Sequence, residues 1–347
     1  MTRPGGLAID RAEQTPPGPV LVLRALGLGD ALTAVPALRG LRRLFPGRPL
    51  LLAASGPPAT LLRDCGIVDA VVPTRGLDGP PPGAGLGPHV AVNLHGRGPQ
   101  SHRLLLAGGP IELLAYASAA AGVDGPAWQE AEHEVRRWCR LVDAAAVAWG
   151  RRRVCRPADL RLRLPPSGPG ETAAVPGGRH VVVHAGASSG ARRWPARRWV
   201  RLVRDLERSG ECVVLTGGPD ERALVRGIAD AAGLPPDRCT AGRLTLPQLA
   251  ELVAGAALLV CGDTGVAHLA TALGTPSVLL FGPVPPSRWA PLADPERHTV
   301  LWHGAGLGEG NGNADRPDPA LLRLRADEVL TAALTRLERV PAGTSGT

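Results

Sequence analysis

The sequence predicts an α/β protein of two doubly wound domains, on three observations. Short apolar runs of strand length alternate with runs of helical spacing; this rhythm starts near residue 20 and restarts near residue 180; and 347 residues exceed the usual size of one domain. Strands that alternate with helices pair in parallel and are covered on both faces, so their sequences should be nearly all apolar, as these are.

In the first half, VLVLRAL (20–26) reads as a buried strand, GLGD as a tight turn, and Leu32, Val35, Leu38, Leu41 and Leu44 as the apolar stripe of a helix. LLLAA (50–54), AVVP (70–73) and HVAVNLHG (89–96) follow as strands, with a helix through Leu61 and Leu62. PPSGPGETAAVPGG (165–178) holds too many turn formers for a core and reads as a linker at 166–178 between domains at 1–165 and 179–319. In the second domain HVVVHAG (180–186), ECVVLTGG (211–218), ALLVCGD (257–263) and SVLLFGP (277–283) are strands, the last of them taken as the final one. Helices are expected from Pro195 to Ser209, from Asp220 to Ala232, after Leu246 and from Gly265 to Leu273. HGAGLGEGNGNADRPDP (303–319) reads as a mobile loop, 320–340 as a closing helix, and PAGTSGT as a disordered tail.

Hydrophobic residues make up 44% of the chain, yet Phe and Tyr together number three, so Leu, Val and Ala must fill both cores. The net charge of +8 comes without a single lysine; such a coding bias weakens the charge as a sign of partners. Arg151 to Arg153 and the Arg192–Arg193 pair lack the interleaved aromatics of a nucleic-acid surface, and no nucleic-acid partner is expected. Cys65, Cys139, Cys155, Cys212, Cys239 and Cys261 have no metal-ligand spacing and read as reduced structural thiols. No stretch nears the ~18 uninterrupted apolar residues of a membrane span, so a cytoplasmic protein is expected, touching a membrane at most peripherally.

The chemistry concentrates in CGDTGVAHLATALGTPSVLLFGP (261–283). A strand ends at Asp263 and Thr264, Gly265 permits a close turn, and a helix opens whose free N–H groups and dipole attract an anion. His268 falls in its first turn. Alone, such a segment reads more readily as an ordinary capped helix, with Asp263 as its cap, Gly265 as a turn and His268 as a half-buried imidazole. Two further strand ends add weight: HAGASSGARRWP (184–195) offers Ser188, Ser189, Arg192 and Arg193 to a diphosphate, and TGGPDE (216–221) offers Gly217 and Gly218 for close approach and Glu221 for ribose hydroxyls. Ligands of open α/β sheets bind where such strand ends converge.

These three segments resemble the nucleotide-binding domain of glycosyltransferase family 9, the ADP-heptose:lipopolysaccharide heptosyltransferases and their relatives, with similarity in pattern over most of residues 20 to 290. The resemblance implies a GT-B fold, two Rossmann-like domains facing across a cleft, with the closing helix crossing back to the N-terminal domain. It also implies hexosyl or heptosyl transfer from a nucleotide-sugar donor, ADP-heptose being the family's best-known one, to a glycan, lipid-linked or small-molecule acceptor in cell-envelope glycan synthesis. No other cofactor and no metal are implied. Where relatives place a lysine before RWP this chain has Arg192, which keeps the charge but not the geometry.

GLGDALTAVPAL (27–38) lacks the third glycine of a dinucleotide turn, and by itself Asp30 reads as an N-cap. The resemblance assigns it otherwise: Gly29-Asp30 with Pro36 matches the family's N-terminal signature, whose aspartate is the proposed general base. An ordinary aspartate is ionised at neutral pH and can take a proton from an attacking hydroxyl. VNLHGRGPQSHRLL (92–105) resembles the family's following segment, with Asn93 in place of the usual acid; it makes Gly29, His95, Arg97, Ser101 and Arg103 candidates for acceptor contacts. A nucleotide-sugar epimerase and a non-catalytic nucleotide-binding GT-B protein are the competing readings. A dehydrogenase is disfavoured, because no strand leads into GxGxxG.

Overall fold

The computed structural model describes residues 18–166, 178–308 and 310–339. Almost all of the expected linker, and the tail, lie outside the described residues. The chain divides into two compact units. The first comprises Met1–Leu26, Ala34–Glu130 and Val135–Pro157; the second comprises Gly27–Thr33, Ala131–Glu134 and Ala158–Thr347. The expected boundary at 165 therefore moves to 157, and two short segments of the N-terminal half join the second unit.

The first unit contains β1 (Val20–Leu23), β2 (Leu50–Ala54), β3 (Ala70–Pro73), β4 (Val90–Asn93) and β5 (Glu112–Leu114), all parallel in the order β3-β2-β1-β4-β5. Leu21, Leu23, Ala53, Ala91 and Leu105 pack together on one face. Burial on both faces explains why β1 and β2 read as continuous apolar runs. Two elements went unanticipated: the edge strand β5 and the helix Glu134–Ala148.

In the second unit β6 (Val181–His184), β7 (Val213–Thr216), β8 (Leu258–Gly262), β9 (Ser277–Leu280) and β10 (His298–Leu301) form a parallel sheet ordered β10-β9-β8-β6-β7. The 277–283 segment is thus not the final strand; β10 follows it. Helices Ala196–Arg208, Arg222–Ala232, Leu246–Ala254 and Gly265–Leu273 fall where expected, except that 219–221 forms a separate short turn. The closing helix, Ala326–Glu338, was expected to cross to the N-terminal domain. Its buried face belongs instead to the second unit's own core, where Val329, Ala333 and Leu337 join Val203, Leu206, Val260 and Val278. Strand order reverses between β6 and β8, and the crevice beyond the carboxyl ends at such a reversal is where open α/β sheets bind ligands. Among the described residues no helix is long and apolar enough to cross a membrane.

Candidate functional site

A cavity of about 690 Å³ opens at that reversal, and every residue lining it belongs to the second unit. Its volume falls in the range that holds small-molecule ligands. The ends of β6, β7 and β8 supply three walls, Gly27–Asp30 a fourth, and Leu249 and Trp289 contribute apolar surface.

The β8 wall is built for an anion. Thr264 is extended (φ −142°, ψ 170°) and precedes the helix Gly265–Leu273, whose first turn faces the cavity. The helix Leu28–Thr33 comes close because two glycines meet: a Cβ on Gly265 would lie 2.9 Å from Leu28 Cβ and 3.1 Å from Gly29 N, and one on Gly29 would lie 2.8 Å from His268 Cδ2. That contact carries Asp30 to the cavity wall.

Charge there is concentrated and poorly solvated. Asp263 is 4% exposed, with Arg192 Nη1 3.6 Å from its Oδ2. Burial pushes its carboxyl up, against the pull of Arg192 and His268. Burial likewise holds the His268 imidazole below its usual range, so it is neutral at pH 7; its ring lies 5.6 Å from that of Trp289. Arg192 Nε is buried with no hydrogen-bond partner, and the buried Thr264 hydroxyl has only the Cys261 thiol beside it. An unfilled N–H beside a helix N-terminus calls for an acceptor.

At the other side, the Glu221 carboxylate accepts from Gly218 N at 2.7 Å and lies against Gly186, where a Cβ would fall 2.0 Å from its Cδ. His184, at the end of β6, stands beside it.

Of the residues singled out in the sequence, Gly29, Asp30, Ser188, Arg192, Arg193, Gly218, Glu221, Asp263, Thr264, Gly265 and His268 line this one cavity. Ser189 and Gly217 do not. The Ser189 hydroxyl donates to Gly312 O at 2.6 Å, because the segment 310–318 folds onto 188–193, with Ala191 N also donating to Ala314 O at 2.7 Å. Gly217 packs beneath Val225 and Glu221. The remaining acceptor candidates lie in the first unit. There Ser101 is buried and accepts from Asn93 Nδ2 at 2.8 Å. The His95 ring accepts from Ala25 N, Arg103 donates to Ala120 O, and Arg97 faces Glu130. Sequence reasoning did not single out His184, Leu249 or Trp289. A histidine closing an apolar strand was a usable signal for the first; nothing local marks the other two.

A sequence profile of glycosyltransferase family 9 (heptosyltransferase) matches residues 122–307, more than half of the chain. Lipopolysaccharide heptosyltransferase 3 of Escherichia coli is 31% identical over 174 residues, 49% of this chain and 50% of that one. Among solved structures, E. coli ADP-heptose LPS heptosyltransferase II superimposes with a TM-score of 0.72 at 19% identity, covering 92% of this chain and 99% of that one. E. coli heptosyltransferase WaaC with ADP-2-deoxy-2-fluoro heptose gives 0.62 at 18% identity, covering 90% and 98%. In sequence the chain spans about half the length of the first relative (50%) and 31% of two further curated ones. Two parallel-sheet α/β units with these structural neighbours make the fold GT-B. The chain belongs to glycosyltransferase family 9.

Proposed function

We propose that this protein transfers a sugar from a nucleotide-diphosphate donor to an acceptor hydroxyl, with inversion and without a metal. The observation that carries the reading is the buried, unpartnered Arg192 Nε beside the start of the helix Gly265–Leu273, with the Thr264 hydroxyl on the same wall. Arg192 and Arg193 supply positive charge where a diphosphate leaves, and Thr264 a neutral hydroxyl, in a site dry enough for that charge to count. ADP as the nucleotide and a heptose as the sugar, as in the E. coli relatives, are the first candidates for the donor. Arginines and a helix N-terminus perform the neutralisation that a divalent cation performs elsewhere.

In the reaction the acceptor oxygen attacks the anomeric carbon as the bond from that carbon to the β-phosphate oxygen breaks, and Asp30 takes the hydroxyl proton. A single displacement inverts the anomeric configuration. The leaving diphosphate gathers negative charge on the helix N-terminus and Arg192, so those contacts strengthen toward the transition state and lower the barrier. Neutral His268 has an N–H to donate to the phosphate or sugar.

The test is a thermal-shift and calorimetric screen of nucleoside diphosphates and their sugars, followed by transfer assays on the parent and Asp30→Asn chains. Binding of a nucleoside diphosphate is expected in both; transfer is expected to fall at least ~100-fold in the variant, the loss of a general base. Absence of nucleotide binding, or near-normal turnover in Asp30→Asn, overturns the proposal.

A further inference from the structure

We infer that His184 is a positioning residue: it holds the Glu221 carboxylate for the neighbouring hydroxyls of a ribose, and so makes the cavity prefer ribonucleoside over 2′-deoxyribonucleoside diphosphates. The inference rests on the nucleotide-sugar reading above and specifies its nucleotide half.

His184 closes β6 directly beside Thr216, its register partner at the end of β7. Its Nδ1 is 2.9 Å from Thr216 Oγ1, and its Nε2 is 3.7 Å from Glu221 Oε2. Only one tautomer suits both neighbours. A lone pair on Nε2 would face a carboxylate; a hydrogen there faces it favourably, while Nδ1 accepts the Thr216 hydroxyl proton. Burial keeps this imidazole below its usual range and therefore neutral, so it presents a dipole to Glu221 and leaves the carboxylate its full charge.

At 3.7 Å the Nε2–H orients the carboxylate without hydrogen bonding to it. With Gly218 N at 2.7 Å, it fixes Oε2 from two sides, and Gly186 leaves the room in which the group lies. Oε1 has no hydrogen-bond partner among the described residues. A fixed, ionised carboxylate with one open oxygen is matched to hydroxyl donors, and a sugar that lacks the 2′-hydroxyl leaves part of that acceptor unfilled. A hydrogen bond to a charged group of this kind corresponds to about tenfold to a hundredfold in affinity.

Calorimetry on the full chain tests this with ADP, UDP and GDP, then with the 2′-deoxy counterpart of whichever binds best, and with inorganic pyrophosphate. The parent is expected to prefer the ribonucleotide by at least about tenfold. His184→Phe, which keeps the volume but removes the N–H, should bring that ratio close to one while pyrophosphate binds as before. His184→Gln, whose amide reaches the Nε2 position, should keep most of the ratio. His184→Leu, which also removes the N–H, is a second route to the same narrowing and serves if the phenylalanine variant does not fold. An unchanged ratio in the folded variants, an equal loss for ribonucleotide, deoxynucleotide and pyrophosphate, or a parent ratio near one overturns the inference alone. Failure of the parent to bind any nucleoside diphosphate overturns the nucleotide reading itself.

Discussion

Gly186→Ala isolates the nucleotide site from the fold. A Cβ at this position would stand 2.0 Å from Glu221 Cδ and 2.1 Å from both carboxylate oxygens. Carbon contacts favour about 3.5 Å, so the carboxylate must retreat by roughly 1.5 Å. The 2.7 Å bond from Gly218 N to Oε2 then leaves hydrogen-bonding range. A hydrogen bond to an ionised group contributes about 1.5–3 kcal/mol, but here the carboxylate is the mobile end of a side chain beside an open cavity, and water can replace its partner. The backbone at 186 is outside the left-handed region, so alanine also gains about 0.4–1 kcal/mol from a less disordered unfolded chain. Stability by urea denaturation should therefore change by less than about 1 kcal/mol. Calorimetric affinity for the nucleoside diphosphate should meanwhile fall about tenfold to a hundredfold. A well-folded variant with parental affinity would refute the assignment of Glu221 to the nucleotide.

Arg192→Ala removes both the unpartnered Nε and the group opposite Asp263, so it should weaken nucleoside diphosphate by at least about tenfold more than nucleoside; equal weakening in calorimetry would argue against a phosphate contact. Gly29→Ala should lower stability by about 1–3 kcal/mol through overpacking of a Cβ against His268 Cδ2, and an unchanged urea midpoint would deny the close approach of the two helices. His298 in β10 is 7% exposed, bonded through Nδ1 to Ser277 Oγ at 2.8 Å, and burial lowers its imidazole from the usual 6.5 to about 4. The unfolded chain thus binds the proton first as the pH falls: the stability this group contributes is present above about 6.5 and lost as the pH drops through about 4, roughly 3 kcal/mol in all. His298→Asn does not titrate, and urea melts at pH 7 and 4.5 should show a smaller acid loss than in the parent; equal losses would refute the assignment.

The fold was legible where burial on both faces forces an unbroken apolar run. LLLAA coincides with β2 residue for residue; AVVP does so with β3 as well, although that edge strand is only half-buried and owes its legibility to its β-branched residues. Where that pressure relaxes, the signal fades. β5 is a three-residue edge strand, and in β10 only His298 is fully buried, so HTVL after the charged ADPER looks like loop. The helix Glu134–Ala148 was readable in principle, since Val135, Trp138, Cys139 and Val142 repeat at helical spacing and are buried. The closing helix was misplaced for another reason. Its apolar stripe at Val329, Ala333 and Leu337 says that one face is buried, but not which core receives it.

The site divides along the same line. One strand end that stops in Asp-Thr-Gly or Gly-Gly-Pro-Asp-Glu is also what an ordinary capped helix needs; three such ends in one sheet together announce a cavity. What each residue does there depends on neighbours distant in sequence. Ser188 and Ser189 are indistinguishable as letters; the segment 310–318 decides between them by taking the second hydroxyl at Gly312 O and leaving the first at the cavity wall. Gly29 and Gly265 each read as a turn glycine, yet their shared role is mutual: neither tolerates a Cβ because the other's helix start is there. That contact places Asp30 on the wall that also carries the start of the helix Gly265–Leu273. The proposed base and the proposed anion site are thus held to one another through two glycines, and a side chain at either position is expected to shift both at once.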